Sequence, residues 1–389
     1  MKIHRVKEGE SVYSIAREYG VSPLKIIEEN ELSNPDSLTV GEELLILTPT
    51  RSYTVREGDS VKMICRRFLI SENELLRKNP SLYGKNGLYK GQILTLKGDT
   101  PPYSTAFSIG YFYEGTRKED LCRVLPYLSY VVLAAARVHM DDVRLCFDES
   151  EPVRQILESG KIPLLRLYSD TADALLSKAH VDTAILLARA RGYKGICLAI
   201  SGVRDFEKYS CFLHSLKATL LEYGLCLFVE LDGNCSKRVE DYYDGAIISY
   251  SKLQENCPPD FESGERAVLS EFAEHYESSK GFIDLFPFAC CEGEFIPLSL
   301  ARKLYRGAHS EITYDEKTKL CSFEFTKHTL TKKETKRVVF ESLENVKAKL
   351  SLIEELGFMG ASVDIGRTPI THLLMLDYCF RSGGAWSLY

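Results

Sequence analysis

Residues 3–47 of this 389-residue chain are repeated, with variation, by residues 53–96. Val6, Gly9, Ser11, Val12, Ile15 and Asn30 recur 49 positions later as Val55, Gly58, Ser60, Val61, Ile64 and Asn79. Gly41, Leu44 and Ile46 recur after 50, as Gly91, Leu94 and Leu96. A period of this length means one small supersecondary unit used twice, which limits what the first quarter of the chain can be. Ser11 and Ser60 each stand before a segment of helical period (Val12, Ile15, Ala16 and Tyr19 in the first), as N-caps after a glycine turn. A second short helix is expected over Pro23–Glu29 and Glu72–Lys78, capped by Ser22 and Ser71. Short Leu-rich or β-branched runs open and close each unit, giving β-α-α-β.

This pattern resembles the LysM (lysin motif) module. The resemblance implies binding of N-acetylglucosamine-containing chains, peptidoglycan or chitin, in a shallow groove between two loops. On this sequence the loops are Gly9, Glu10, Ser11 and Val12 with Asn34, Pro35, Asp36, Ser37 and Leu38. In the second unit they are Gly58, Asp59, Ser60 and Val61 with Asn86, Gly87, Leu88 and Tyr89. The second unit departs further from the pattern: Lys62 and Met63 replace Tyr13 and Ser14, and its last loop is one residue longer.

From Ala106 onward, strand-like runs alternate with amphipathic helical stretches such as Asp182–Arg191 and Lys208–Tyr223, the mark of a parallel α/β protein. Eight strands are expected, at 106–112, 130–136, 162–168, 195–201, 225–231, 245–250, 281–288 and 360–365. Eight such units in about 285 residues predict a (β/α)₈ TIM barrel. The domain organisation expected is therefore repeat one over 1–49, repeat two over 50–98, and a barrel over 99–389 with a small α+β insertion at about 309–340.

These units resemble glycoside hydrolase family 18, in its LysM-bearing spore cortex-lytic branch. The landmarks are Gly110-Tyr111, Val124-Leu125-Pro126-Tyr127-Leu128, Tyr314-Asp315-Glu316-Lys317, Phe340-Glu341-Ser342 and Gly357-Phe358-Met359-Gly360. In that family the fourth strand carries D-x-x-D-x-D-x-E, whose glutamate protonates the leaving oxygen while the neighbouring aspartate positions the substrate's acetamide. Aligned here on the start of Gly192–Ser201, the four acids become Lys194, Cys197, Ala199 and Ser201. Strand periodicity supports the register independently: Ile196, Leu198 and Ile200 form one face, and Cys197, Ala199 and Ser201 the face toward the axis. That inward face offers no proton donor suited to neutral pH.

Other family positions also depart. Tyr111 and Tyr250 match sugar-contacting positions, but Ser251 replaces the acid after Tyr250, and Val363-Asp364 stands where the family places a tryptophan. The only tryptophan, Trp386, lies near the C-terminus. Glu230 and Asp364 are the fallback candidates for a relocated acid, with Asp232 and Asp170 at the same barrel end; salt-bridge partnership is the competing reading for both. Three functions stay open: a non-catalytic glycan-binding protein, an active N-acetylglucosaminidase-type hydrolase with displaced carboxylates, and a structural spore-coat component.

The net charge of −6, from 49 basic and 55 acidic residues without a basic block, gives counterion-release binding to nucleic acid little footing. No apolar leader or membrane-length run is read, so no signal peptide and no membrane span are expected. Synthesis in the cytoplasm and deposition on a spore or cell wall, alongside other wall or spore proteins, would fit the related spore proteins. Twelve cysteines scatter without CxxC or zinc-finger spacing. Reduced thiols, no metal and no cofactor are the expectation.

Overall fold

The computed structural model describes residues 1–83, 88–97, 105–138, 142–169, 177–200, 203, 205–232, 242–249, 261–308, 310–328 and 333–382. Two compact units divide the chain, one comprising Met1–Thr105, Pro287–Leu350 and Arg367–Arg381, the other Ala106–Phe286 with Ser351–Gly366.

In the first unit, each repeat is a two-stranded antiparallel hairpin around two helices: β1 (Lys2–Arg5), α1 (Val12–Tyr19), α2 (Pro23–Glu29) and β2 (Glu43–Ile46), then β3 (Arg51–Thr54), α3 (Val61–Phe68), α4 (Glu72–Lys78) and β4 (Ile93–Lys97). Val12, Ile15, Ala16, Ile26, Leu44 and Ile46 build the first core, and Ile64, Leu75, Leu94 and Leu96 the second. Ser11 and Ser60 accept hydrogen bonds from the backbones of Ser14 and Met63, as N-caps do. Ser71 caps α4 in the same way, but Ser22 makes no cap bond: Pro23 already starts α2 with a preset φ and lacks one of the orphan N–H groups.

The recurring asparagine has a mechanical role. Asn30 donates to Leu45 O at 2.9 Å and accepts from Leu45 N at 2.6 Å. Asn79 does the same with Thr95, at 2.8 and 2.7 Å. One buried amide thus pins the second helix of each repeat to its closing strand.

The other unit is a closed barrel of eight parallel strands: β5 (Thr105–Phe112), β6 (Tyr130–Val138), β8 (Ile162–Ser169), β9 (Gly195–Ile200), β10 (Cys226–Asp232), β11 (Gly245–Ser249), β12 (Gly281–Asp284) and β18 (Gly360–Asp364). A short antiparallel β7 (Val143–Leu145) leans on β6. Strands β18 and β6 both pair with β5, which closes the ring. Helices α5 (Lys118–Val124), α6 (Ser150–Glu158), α7 (Lys178–Arg191), α8 (Phe206–Glu222) and α9 (Ala267–His275) fall between strands. Ile109, Tyr130, Val132, Ile162, Leu164, Phe228, Ile247 and Phe282 fill the interior.

The excursion between β12 and the last strand is larger than the 309–340 expected from sequence. It is a five-stranded antiparallel sheet, β13 (Ala289–Cys291), β14 (Glu294–Ile296), β15 (Thr313–Asp315), β16 (Leu320–His328) and β17 (Lys333–Glu341), with α10 (Leu298–Ala308), and α11 (Leu343–Glu355) follows it. The apolar run 281–288, expected as one strand, stops pairing in the barrel at Asp284. Pro287 has no N–H to give a ladder, and Ala289–Cys291 pairs instead with β14 and β17. The first unit ends in α12 (Ile370–Cys379).

The cysteines correct a second expectation. Cys290 is disulfide-bonded, whereas other cysteines among the described residues, Cys65, Cys197 and Cys226 among them, are free thiols. Sequence spacing carries no measure of distance across a fold, so an unpatterned cysteine could still find a partner. Among the described residues no helix is long and apolar enough to cross a membrane, and no group of His, Cys, Asp or Glu is arranged to hold a metal ion.

Candidate functional site

The upper end of the barrel carries a polar centre above its apolar layers. Strand alternation turns Tyr111 of β5, Arg166 of β8, Cys197 of β9 and Glu230 of β10 toward the axis, in step with Ile109, Leu164 and Phe228 beneath. Because β8 and β10 flank β9, Arg166 and Glu230 meet across it. Arg166 Nε donates to Glu230 Oε1 at 2.6 Å and Nη2 to Oε2 at 2.8 Å, a bidentate pair. Tyr111 adds a hydrogen bond to Oε1 at 3.0 Å, and Cys197 Sγ lies 3.8 Å from the same oxygen.

Electrostatics follow from this geometry. Burial would lower the Arg166 guanidinium, but the hydrogen bond and charge of Glu230 outweigh it and raise the pKa. Burial, then the charge of Glu230, pushes the Cys197 thiol and the Tyr111 phenol well up, so neither ionises near neutral pH. Tyr113 stacks on Tyr111 with ring centroids 5.8 Å apart. Its hydroxyl is pushed up by burial, against the lowering effect of Arg166 and with further raising by Glu230, Asp364 and Asp284.

The small residues of β9 make this bridge possible. Cys197 and Ala199 are both buried, and neither has a side chain long enough to occupy the space that the Arg166–Glu230 pair crosses. Glu230, a fallback acid, therefore has both oxygens engaged as acceptors. Asp364, the other, accepts from Gly366 N at 2.9 Å, while Asp284 accepts from Ser362 Oγ at 3.1 Å. Lys194 precedes β9, its N–H donating to Pro163 O. Ser201, Tyr250, Asp170 and Trp386 lie outside the described residues, and of Asp232 only its place at the end of β10 is described.

Arg166 is the residue that sequence reasoning missed. It is the only charge in the run Ile162–Ser169, and its period-2 relation to Ile162 and Leu164 already put it on the inward face.

In the repeats, the loop residues expected from sequence are held by matching devices. Glu10 accepts from His4 Nε2 at 2.8 Å and Lys7 N at 2.7 Å, and these bonds outweigh burial and lower its pKa. Asp59 accepts from Tyr53 O–H at 2.6 Å and Arg56 N at 2.7 Å, which lowers it likewise. Gly9 and Gly58 turn the chain at φ 79° and 83°, where a side chain would be strained. Asn34 and Asp36 are exposed, Pro35 and Ser37 half-buried, and Ser37 N closes a turn on Asn34 O at 3.3 Å. Val12 is wholly buried in the core, and Val61, Leu38 and Leu88 pack against theirs. What these four can offer a ligand is mainly backbone. Tyr89 is exposed, while Asn86 and Gly87 lie outside the described residues.

Repeats of this construction followed by a closed parallel barrel define a LysM-bearing barrel protein. The LysM domain family matches residues 4–47 and 53–97, and the chain contains two LysM domains. Its fold is similar to that of the Bacillus megaterium spore cortex-lytic enzyme SleL, with TM-score 0.75 and 20% identity over 98% of both chains. The barrel is similar to a glycoside hydrolase family 18 N-acetylglucosaminidase from Paenibacillus barengoltzii, with TM-score 0.56 and 12% identity over 70% of this chain and 99% of that one. By sequence, the cortical fragment-lytic enzyme of Bacillus cereus is 27% identical over 242 residues, 57% of this chain. The chain spans about half the length of such curated relatives, 56% in that case.

Proposed function

We propose that this protein binds N-acetylglucosamine-containing glycan, peptidoglycan above all, through its LysM domains, and that its barrel does not hydrolyse that glycan. The observation that carries the second half is the Arg166–Glu230 bridge over Cys197 and Ala199. Family 18 chemistry needs a carboxylic acid at the leaving oxygen and a carboxylate beside the acetamide. Where the resemblance puts those groups, the sequence has Ser201 and Ala199, a hydroxyl and a methyl, and the carboxylate from the next strand is tied on both oxygens. Deposition on a spore or cell wall fits the similarity to a spore cortex-lytic enzyme and a cortical fragment-lytic enzyme.

Purified peptidoglycan and chitooligosaccharides test both halves. The expected result is retention on insoluble peptidoglycan, with no new reducing ends after prolonged incubation. Absence of retention would remove the binding reading. Turnover by the wild type that disappears in Glu230→Gln or Asp364→Asn would replace the non-catalytic reading with that of a hydrolase using displaced carboxylates.

A further inference from the structure

The first repeat has a face that its twin lacks. Its turn into β2, Val40–Glu43, is covered by the inserted subdomain. A methyl group at Gly41 would collide with the carbonyl oxygen of Ile312, whose N–H donates to Val40 O at 2.9 Å. Glu42 Oε1 accepts from Tyr305 O–H at 3.0 Å and Arg306 Nη2 at 2.5 Å. Glu43 accepts from Arg5 Nε at 3.0 Å and, with its other oxygen, from Leu343 N at 2.6 Å. The Arg5 guanidinium then lies 3.5 Å above the Tyr314 ring. Burial pushes the Glu43 carboxyl up against these partners, as expected of a group taken out of water to make the contact.

The counterpart turn of the second repeat is open. Among the described residues nothing lies within 4 Å of a methyl group placed at Gly91. Gln92 and Ile93 stand where Glu42 and Glu43 stand in the first repeat, and the exposed Lys90 pairs with its own repeat's Glu57 at 2.9 Å. The second repeat is secured elsewhere. The ammonium of Lys25 in α2 is buried between the repeats, 3.2 Å from Glu29, 2.5 Å from Thr95 Oγ1 and 3.4 Å from Asn79 Oδ1. Arg77 pairs with Asp377 of α12 at 2.7 Å.

We propose that the Gly41–Glu43 turn is a docking surface whose partner is this chain's own Tyr305–Arg306 and Ile312 face, and that both repeats, the inserted sheet and α12 move as one body. The two LysM domains are then not beads on a tether. Their grooves keep a constant separation, and the first domain is a permanent part of the inserted subdomain. This inference goes beyond the proposed function and holds whether or not glycan is bound.

The test is a matched pair in the full chain, Gly41→Ala and Gly91→Ala, read by hydrogen–deuterium exchange. Both glycines have nearly the same left-handed backbone, φ 83° and 87°, so the local strain is shared and only the first meets the inserted sheet. Gly41→Ala is expected to speed exchange about tenfold in residues 310–328 as well as in its own repeat, while the effect of Gly91→Ala stays within residues 53–97. An effect of Gly41→Ala confined to residues 1–47 would overturn the proposal. Should Gly41→Ala not fold, Arg306→Met puts the question from the other side. Faster exchange over residues 39–46 is expected, and unchanged exchange there would overturn the proposal equally.

Discussion

Glu230 and Glu341 are both strand glutamates with hydrogen bonds on each oxygen, yet their surroundings differ. Glu341 gives one oxygen to Lys349 Nζ at 2.6 Å and the other to His372 Nε2 at 3.0 Å, with all three side chains only 1–2% exposed. Glu230 and its Arg166 are each 17% exposed. The first cluster ties β17, α11 and α12 together where water does not reach; the second sits at the end of a barrel where barrels of this kind keep their chemistry. A glutamate bonded on both oxygens is thus a dry clasp in one place and a partly solvated bridge at the barrel's end in the other, and solvent access separates them.

The largest effect expected is from Glu341→Ala. It takes the carboxylate away from a buried ammonium, and removing one partner of such a pair costs about 3–5 kcal/mol. Urea denaturation should show a lower midpoint for the first unit. A cost near zero would mean that water reaches the cluster and would break the comparison. Arg166→Met should cost less, about 1–3 kcal/mol, since Glu230 keeps the Tyr111 hydrogen bond and some hydration. A cost matching that of Glu341→Ala would place Glu230 in an equally dry site.

Acid sharpens the contrast. Burial would raise Glu341, but Lys349 and His372 outweigh it and hold the carboxyl below its ordinary value of 4.5. Its stabilisation is therefore complete above that value and is lost as pH falls through the lower, folded one. Denaturation midpoints followed from pH 6 down to about pH 3 should fall for the wild type and flatten in Glu341→Gln. Parallel curves for the two proteins would remove Glu341 from the acid limb. The smallest effect expected is from Glu230→Gln, about 1 kcal/mol, because the amide oxygen still accepts one bond while the charge assistance is lost. Measured together with Arg166→Met, it gives the coupling energy of the bridge by a double-mutant cycle.

Much of this architecture was legible in the sequence, for identifiable reasons. The repeats could be read because the same glycine turn, serine cap and asparagine pin each serve one local purpose twice. The inward face of β9 followed from alternation alone, and Cys197 lies on it in the structure. The start of the inserted sheet was hidden because a continuous apolar run reads alike in a barrel strand and in an antiparallel one; only Pro287 hinted at the break. Lys25 was hidden more deeply, since a lysine on a short helix reads as solvated unless its neighbour in space is known. The Arg166–Glu230 bridge joins residues 64 positions apart in sequence, and although each could be placed on an inward face, their meeting across β9 belongs to the sheet order.

The inserted sheet also bears on how the protein keeps to itself at high concentration. A barrel closed on itself has no free strand to lend, but an open sheet exposes unpaired backbone at both margins, an invitation to add strands from other molecules. Here the marginal strands are β14 and β15, three residues each, with Glu294 in one and Asp315 in the other. The nine-residue strands β16 and β17 pair with each other along their whole length. Templates so short and so charged give an intruding chain little to extend.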